Sequence, residues 1–294
     1  MVIGPTNPDH GNETRVEVDP IQRGRGLSKT RAAVLAGVVA FGLSGCERPR
    51  TDATHAAGVA SASLAERGYA APPAVTGAHR LSAGKLMLRG IAAPGVKVRL
   101  ASPNGEAMFA VSDAMGGWRF VLPVARTVRL FGLSAQVQGR PVQAEGYVAI
   151  TPSGEAAQLR AGSGAVALQT RQRAPLIMAA DFDRKGGVVI SGEGPAAGPL
   201  TLQVDRGAPA PAHVDGDGRF MVALNEPLAP GPHILTVTGA GYRTATALTI
   251  SPAEPPTGGP FRAEGAAGGW RIDWRTPGGG LQSTVLFDRG VGVS

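Results

Sequence analysis

One cysteine, Cys46, in a chain of 294 residues excludes an internal disulfide, so the folded part must be held by its own core. Aromatic residues make up only 5% of the chain, which leaves Val, Leu, Ile and Ala to fill that core. Long helices are disfavoured by 43 glycines and 24 prolines, which punctuate the chain with turns. His10, His55, His79, His213 and His233 lie far apart and have no second ligand at metal spacing, so neither a metal nor a cofactor is expected. Serines are present without a nucleophile-elbow pattern, and Gly278–Gly280 lacks the Lys and Ser or Thr that complete a phosphate loop. The chain is therefore expected not to be an enzyme.

What is present divides the chain unevenly. The length suits about two domains. The formal charge is +7, but the arginines are scattered singly from Arg89 to Arg289 without interleaved stacking aromatics, so no nucleic-acid surface is expected. Near the N-terminus, Lys29 and Arg31 precede an apolar stretch from Ala32 to Phe41, followed by Leu43, Ser44, Gly45 and Cys46. Basic, apolar, then small is the order of an export signal, and the apolar run is too short for a comfortable bilayer span.

Leu43 to Cys46 resembles the bacterial lipobox. The resemblance implies cleavage before Cys46 and acylation of its thiol, which would tie the protein to a membrane through a lipid anchor. Glu47 follows the cysteine where inner-membrane lipoproteins commonly carry Asp. That implies the periplasmic face of the outer membrane, with the inner membrane left open.

Residues 46–79 are rich in Ala, Pro, Ser and Gly and are expected to be a flexible linker after a leader at 1–45. Beyond them the chain repeats itself. An offset of 102 residues takes Gly90 to Gly192, Leu100 to Leu202, Asp113 to Asp215, Gly116 to Gly218 and Leu122 to Leu224. Trp118 and Phe120 fall on Phe220 and Val222, and the units end at Thr151-Pro152 and Ser251-Pro252. Val96, Val98 and Leu100 alternate with Lys97 and Arg99, a two-residue period that gives one apolar face and one wet face. The fold class expected is all-β: two tandem sandwiches at 80–152 and 175–252, a linker at 153–174 and a C-terminal β-hairpin within 253–294.

The stretch Asp181 to Gly192, with the turn and strand from Asp215 to Phe220, resembles bacterial Ig-like domains of peptidoglycan-associated proteins that often carry LysM modules. Gly90 to Leu122 shares the later half of that pattern. The resemblance implies Ig-like modules in a cell-envelope protein, with other envelope proteins or peptidoglycan as partners. No LysM module is visible, so peptidoglycan binding is not carried over. The leading expectation is a spacer or protein-interaction scaffold. The alternative is a carbohydrate- or peptidoglycan-binding module using Trp270 and Trp274, which share one strand face.

Two acidic patterns need separate readings. Asp215-Gly216-Asp217-Gly218 resembles the opening of a calcium loop, but Arg219 takes the next ligand place and no Glu closes the loop. A turn in which Asp accepts backbone hydrogen bonds is the preferred reading for Asp113 and Asp215, and equally for Asp181 and Asp183.

Overall fold

Strand alternation along this chain produces four antiparallel sheets. A computed structural model describes residues 70–288, except 83, 170–173 and 196–197. Cys46, the leader and most of the expected linker lie outside the described residues. All described residues fall within one compact unit, 52–294. Among them there is no helix.

The first module comprises β1 (Ala74–Leu81), β2 (Lys85–Ile91), β3 (Lys97–Ala101), β4 (Ala107–Val111), β5 (Gly117–Pro123), β6 (Arg129–Val137) and β7 (Arg140–Gln143). A meander follows: β8 (Tyr147–Ile150), β9 (Ala156–Leu159) and β10 (Val166–Ala167). The second module repeats the plan with β11 (Leu176–Asp183), β12 (Val188–Glu193), β13 (Gly198–Val204), β14 (Ala210–Val214), β15 (Arg219–Ala223), β16 (Gly231–Gly239) and β17 (Tyr242–Ile250). It too is followed by a meander, β18 (Phe261–Ala266), β19 (Gly269–Arg275) and β20 (Leu281–Phe287).

Sheet I runs β1-β2-β5, and sheet II runs β10-β9-β8-β6-β3-β4 with β7 also on β6. Sheet III runs β15-β12-β11-β20-β19-β18, and sheet IV runs β14-β13-β16-β17. Inward residues of I and II, among them Leu86, Leu88, Val98, Leu100, Phe120 and Phe131, share one core. Those of III and IV, among them Ile190, Phe220, Leu202 and Leu235, share another. Each module is thus a β-sandwich built from period-two strands.

The repeat extends to backbone detail. Register shifts fall between Val75 and Gly77 in β1 and between Ile177 and Ala179 in β11. Two-residue turns with positive φ at both positions close β6–β7 at Gln138-Gly139 and β16–β17 at Ala240-Gly241. That is the hairpin turn whose twist matches that of the strands it joins. The modules part company after β7. Strand β17 pairs with β16 in one unbroken register, whereas the equivalent strand of the first module is interrupted between β7 and β8 and resumes two residues out of step on β6. This bulge explains why Ile150, Thr151 and Pro152 precede Ile250, Ser251 and Pro252 by 100 residues, when the offset earlier is 102. Gly146 sits in the bulge at φ +66°, and a Cβ there would lie 1.8 Å from the carbonyl oxygen of Leu159. Glycine therefore permits the close approach that starts the meander.

Three segments differ from the sequence reading. Strand β1 begins at Ala74, inside the stretch read as linker, because Thr76, Gly77 and Ala78 gave little apolar signal. Strands β9 and β10 lie in the stretch read as the 153–174 linker, where small alanines fill buried positions. The C-terminal segment carries a third strand, β18, and joins sheet III edge-on through the β20–β11 pairing, from Ala179↔Leu286 to Asp183↔Gln282.

Candidate functional site

The two modules meet through a third apolar cluster. Val128, Leu130, Ala149, Ala157, Leu159 and Ala165 of the first module and its meander pack on Ala179, Ile272, Trp274 and Leu286. Both meanders lie at this junction. Trp274 is fully buried, meets Tyr147 edge-on at 5.8 Å between ring centroids, and donates its indole N–H to Thr284 Oγ1 at 3.0 Å. Trp270 is half-buried against the same cluster. The two tryptophans do share a face, but that face is spent on joining the modules, and Trp274 offers no ring to solvent.

Asp181 is the polar centre of the junction. It is 2% exposed, so its place is not a surface turn, and the turn reading is corrected for this residue alone. Its Oδ2 accepts from the backbone N–H of Ala165 at 2.6 Å, and its Oδ1 accepts from Thr284 Oγ1 at 2.6 Å and Gln282 Nε2 at 3.1 Å. Burial pushes its carboxyl up to about 6, against the lowering effect of those bonds and of Arg160. Ser191 Oγ adds a bond to the Ala165 carbonyl oxygen at 2.6 Å, and Gly162 N–H donates to Gln282 Oε1 at 3.1 Å. The sequence held no clue that Asp181 and Ala165 would meet, since nothing local pairs them.

A buried ion pair fastens the connection into the C-terminal meander. Arg271 Nε donates to Asp273 Oδ1 at 2.9 Å, and Arg271 also reaches Ser251, Pro252 and Ser283. The strand β19 thus buries both faces, tryptophans on one and a satisfied ion pair on the other.

The three remaining acidic positions form one device. Asp113 Oδ1 accepts from the N–H groups of Met115 and Gly117 at 2.9 and 2.8 Å. Asp215 does the same with Asp217 and Arg219, both at 2.9 Å, and Asp183 with Lys185 and Gly187 at 2.8 and 3.0 Å. In each turn the glycine three residues on has positive φ. These carboxylates fix turns. His233 is similarly engaged: Nδ1 lies 2.8 Å from Asp205 Oδ2 and Nε2 lies 2.8 Å from the Ala229 carbonyl oxygen. Both bonds favour the charged ring and raise its pKa, the Ala229 contact most. Neither nitrogen is then free to take a proton from a substrate.

Beside the junction lies a cleft of about 710 Å³. Its walls come from three strands that are each the edge of a sheet: β1 with Val75 and Thr76, β10 with Val166 and Ala167, and β15 with Arg219 to Met221. Arg89, Arg160 and Arg219 line it together with Asp215 and Asp217. Arg160 Nη2 has one long bond to the Ser163 carbonyl oxygen at 3.3 Å, and Arg219 Nη1 stands 3.8 Å from Asp217. Arg129, Arg262 and Arg271 are better satisfied. Arg129 Nη2, for instance, lies 2.8 and 2.7 Å from the two oxygens of Glu106. The cleft thus presents guanidinium donors with spare capacity beside backbone edges, a setting for binding an acceptor-rich ligand. Among the described residues no group of three or more His, Cys, Asp or Glu is placed to hold a metal ion. Neither a protein-family model nor a curated protein matches the chain.

Proposed function

We propose that this chain is a non-enzymatic cell-envelope lipoprotein, anchored through Cys46 at the periplasmic face of the outer membrane, in which two Ig-like sandwiches serve as a stiff spacer and interaction scaffold. The observation that carries the reading is the junction. A spacer needs a fixed distance between its ends, and modules joined only by a linker would swivel. Here an apolar cluster containing Trp274 and a buried polar bridge centred on Asp181 oppose swivelling. The carboxylates of Asp113, Asp181, Asp183 and Asp215 and the His233 imidazole are committed to turns and packing, in keeping with a structural role. The order of Lys29, the apolar stretch and Leu43 to Cys46 supplies the argument for the anchor.

The test is acylation and fractionation in the native host. Wild type should take up labelled palmitate and sediment with outer membranes, and Cys46→Ser should lose the label and leave the membrane fraction. Retention of Cys46→Ser at wild-type levels in the membrane, with no acyl mass on the wild type, would remove the anchor from the proposal.

A further inference from the structure

We infer that the cleft between β1, β10 and β15 is a binding site for an extended, acidic polypeptide segment of a partner protein. The inference deepens the scaffold reading by naming the chemistry of what the scaffold holds, and it rests on that reading for its biological setting.

The repeat acts as an internal control. In the second module, the outward face of β11, β12 and β15 is covered in part by the first module's meander. Ser191 and Asp181 there are buried and bonded to Ala165. The equivalent positions in the first module are Arg89 and His79, both exposed. A duplicated framework with the same strand register thus carries small or acidic buried groups where the face is covered, and an arginine and a histidine where it is open. Arg89 stands directly opposite Arg119 on the neighbouring strand. Like charges so placed repel, and β1, β2 and β5 contain no Asp or Glu, which leaves Asp113 as the one carboxylate lining a groove with them. An incoming carboxylate would relieve that repulsion.

Arg89 also belongs to two hollows at once. One is the junction cleft. The other is a groove of about 720 Å³ that runs over Thr76, Met87 and Arg119 towards Val111. The cationic groups therefore form a path, from Arg219 and Arg160 through Arg89 to Arg119. Three acids share the path: Asp113 and Asp215 each hold two backbone N–H groups on Oδ1, and Asp217 stands 3.8 Å from Arg219, so four guanidiniums face three carboxylates and positive charge is left over. Apolar Met87, Val111 and Met221 lie along this path, and β1, β10 and β15 beside it are sheet edges, with the Ala78 N–H of β1 already given to the Leu168 carbonyl oxygen. Carboxylates for the guanidiniums, small apolar side chains for the methionines and a main chain for the edges are together the features of an extended acidic peptide. A lipid headgroup or a nucleic acid would match the charge but would leave the strand edges without partners.

The experiment uses the full chain and fluorescence anisotropy. The probe is a fluorescein-labelled hexapeptide of alternating Glu and Val, and the controls are its Gln-Val counterpart, an oligothymidylate and vesicles containing anionic lipid. The Glu-Val peptide should bind and should weaken as salt rises. Arg89→Ser, which installs the residue of the second module on an exposed strand face, should weaken it by about tenfold, as should Arg160→Gln. Arg243→Gln, an exposed arginine of β17 on sheet IV, should leave affinity unchanged, with melting curves confirming that each variant is folded. Four results would overturn the site: no binding of the Glu-Val peptide, equal binding of the Gln-Val peptide, equal loss in Arg243→Gln and Arg89→Ser, or tighter binding of the oligothymidylate or vesicles. None of these results bears on acylation of Cys46, so a failure of the cleft and a failure of the anchor are separately visible.

Discussion

The carboxylate of Asp181, on the first strand of the second module, accepts a hydrogen bond from the backbone N–H of Ala165, in the first module's meander, at 2.6 Å. A side chain of one repeat is thereby solvated by the main chain of the other. Desolvation outweighs this help, and burial pushes the carboxyl from its ordinary 3.8 up to about 6.

The pH dependence follows in sign. Between about pH 4 and 6 the folded chain holds a proton on Asp181 that the unfolded chain has released. Stability from this group is therefore fully present below pH 4 and is lost as pH rises through 6, by on the order of 3 kcal/mol. Urea unfolding of wild type and Asp181→Asn at pH 4 and pH 7.5 isolates the effect. The variant should gain on the wild type as pH rises, whereas a constant difference would place the titration elsewhere.

Trp274→Ala should cost about 3–5 kcal/mol, the usual range for removing a large buried aromatic. It also leaves Thr284 without its indole donor. Because the ring sits at the junction, the loss should be accompanied by faster proteolysis between the modules. Trp270→Ala should cost less, since that ring is only half-buried. Equal costs measured by urea denaturation would contradict the packing described.

Gly90→Ala and Gly192→Ala should both be severe. A Cβ on Gly90 would lie 2.0 Å from the Ala74 carbonyl oxygen and 2.2 Å from the Trp118 ring; on Gly192 it would lie 2.3 Å from the Leu176 carbonyl oxygen and 2.4 Å from Phe220. Overpacking of this kind costs about 1–3 kcal/mol or more. Gly198→Ala, where a Cβ meets nothing within 4 Å, should be close to neutral in thermal melts.

Asp113→Ala, Asp183→Ala and Asp215→Ala should each lower stability by about 1 kcal/mol through loss of the two local hydrogen bonds. Millimolar calcium should leave the melting temperature of the wild type unchanged. A rise that Asp215→Ala abolishes would convert the turn into a metal site.

Local pattern made much of this molecule legible, and long-range pairing made the rest opaque. Val98, Leu100, Trp118, Phe120 and Leu122 announce their strands because one face is core and the other is water. The Asp-x-x-Gly turns are legible for the same reason, since their bonds close within five residues. Strand β9, with Ala156, Ala157 and Leu159, carries no alternation because it is covered on both sides. The Asp181–Ala165 contact and the arginine cleft depend on how two modules lean together, and no spacing encodes that. Trp270 and Trp274 were correctly placed on one face, but a strand pattern cannot say whether such a face meets solvent or another sheet.

The two extra residues between β7 and β8 have an effect on how the two modules are joined. In a linear repeat protein every unit offers its neighbour the same grip, so copies can be added without limit. Here the slip turns the first meander towards the second module, while β20 returns to β11, so both meanders are consumed at one seam. Sheet IV carries no meander strand of its own. The two copies are thereby unlike at the surfaces that join them, because each contributes its meander to a single shared seam.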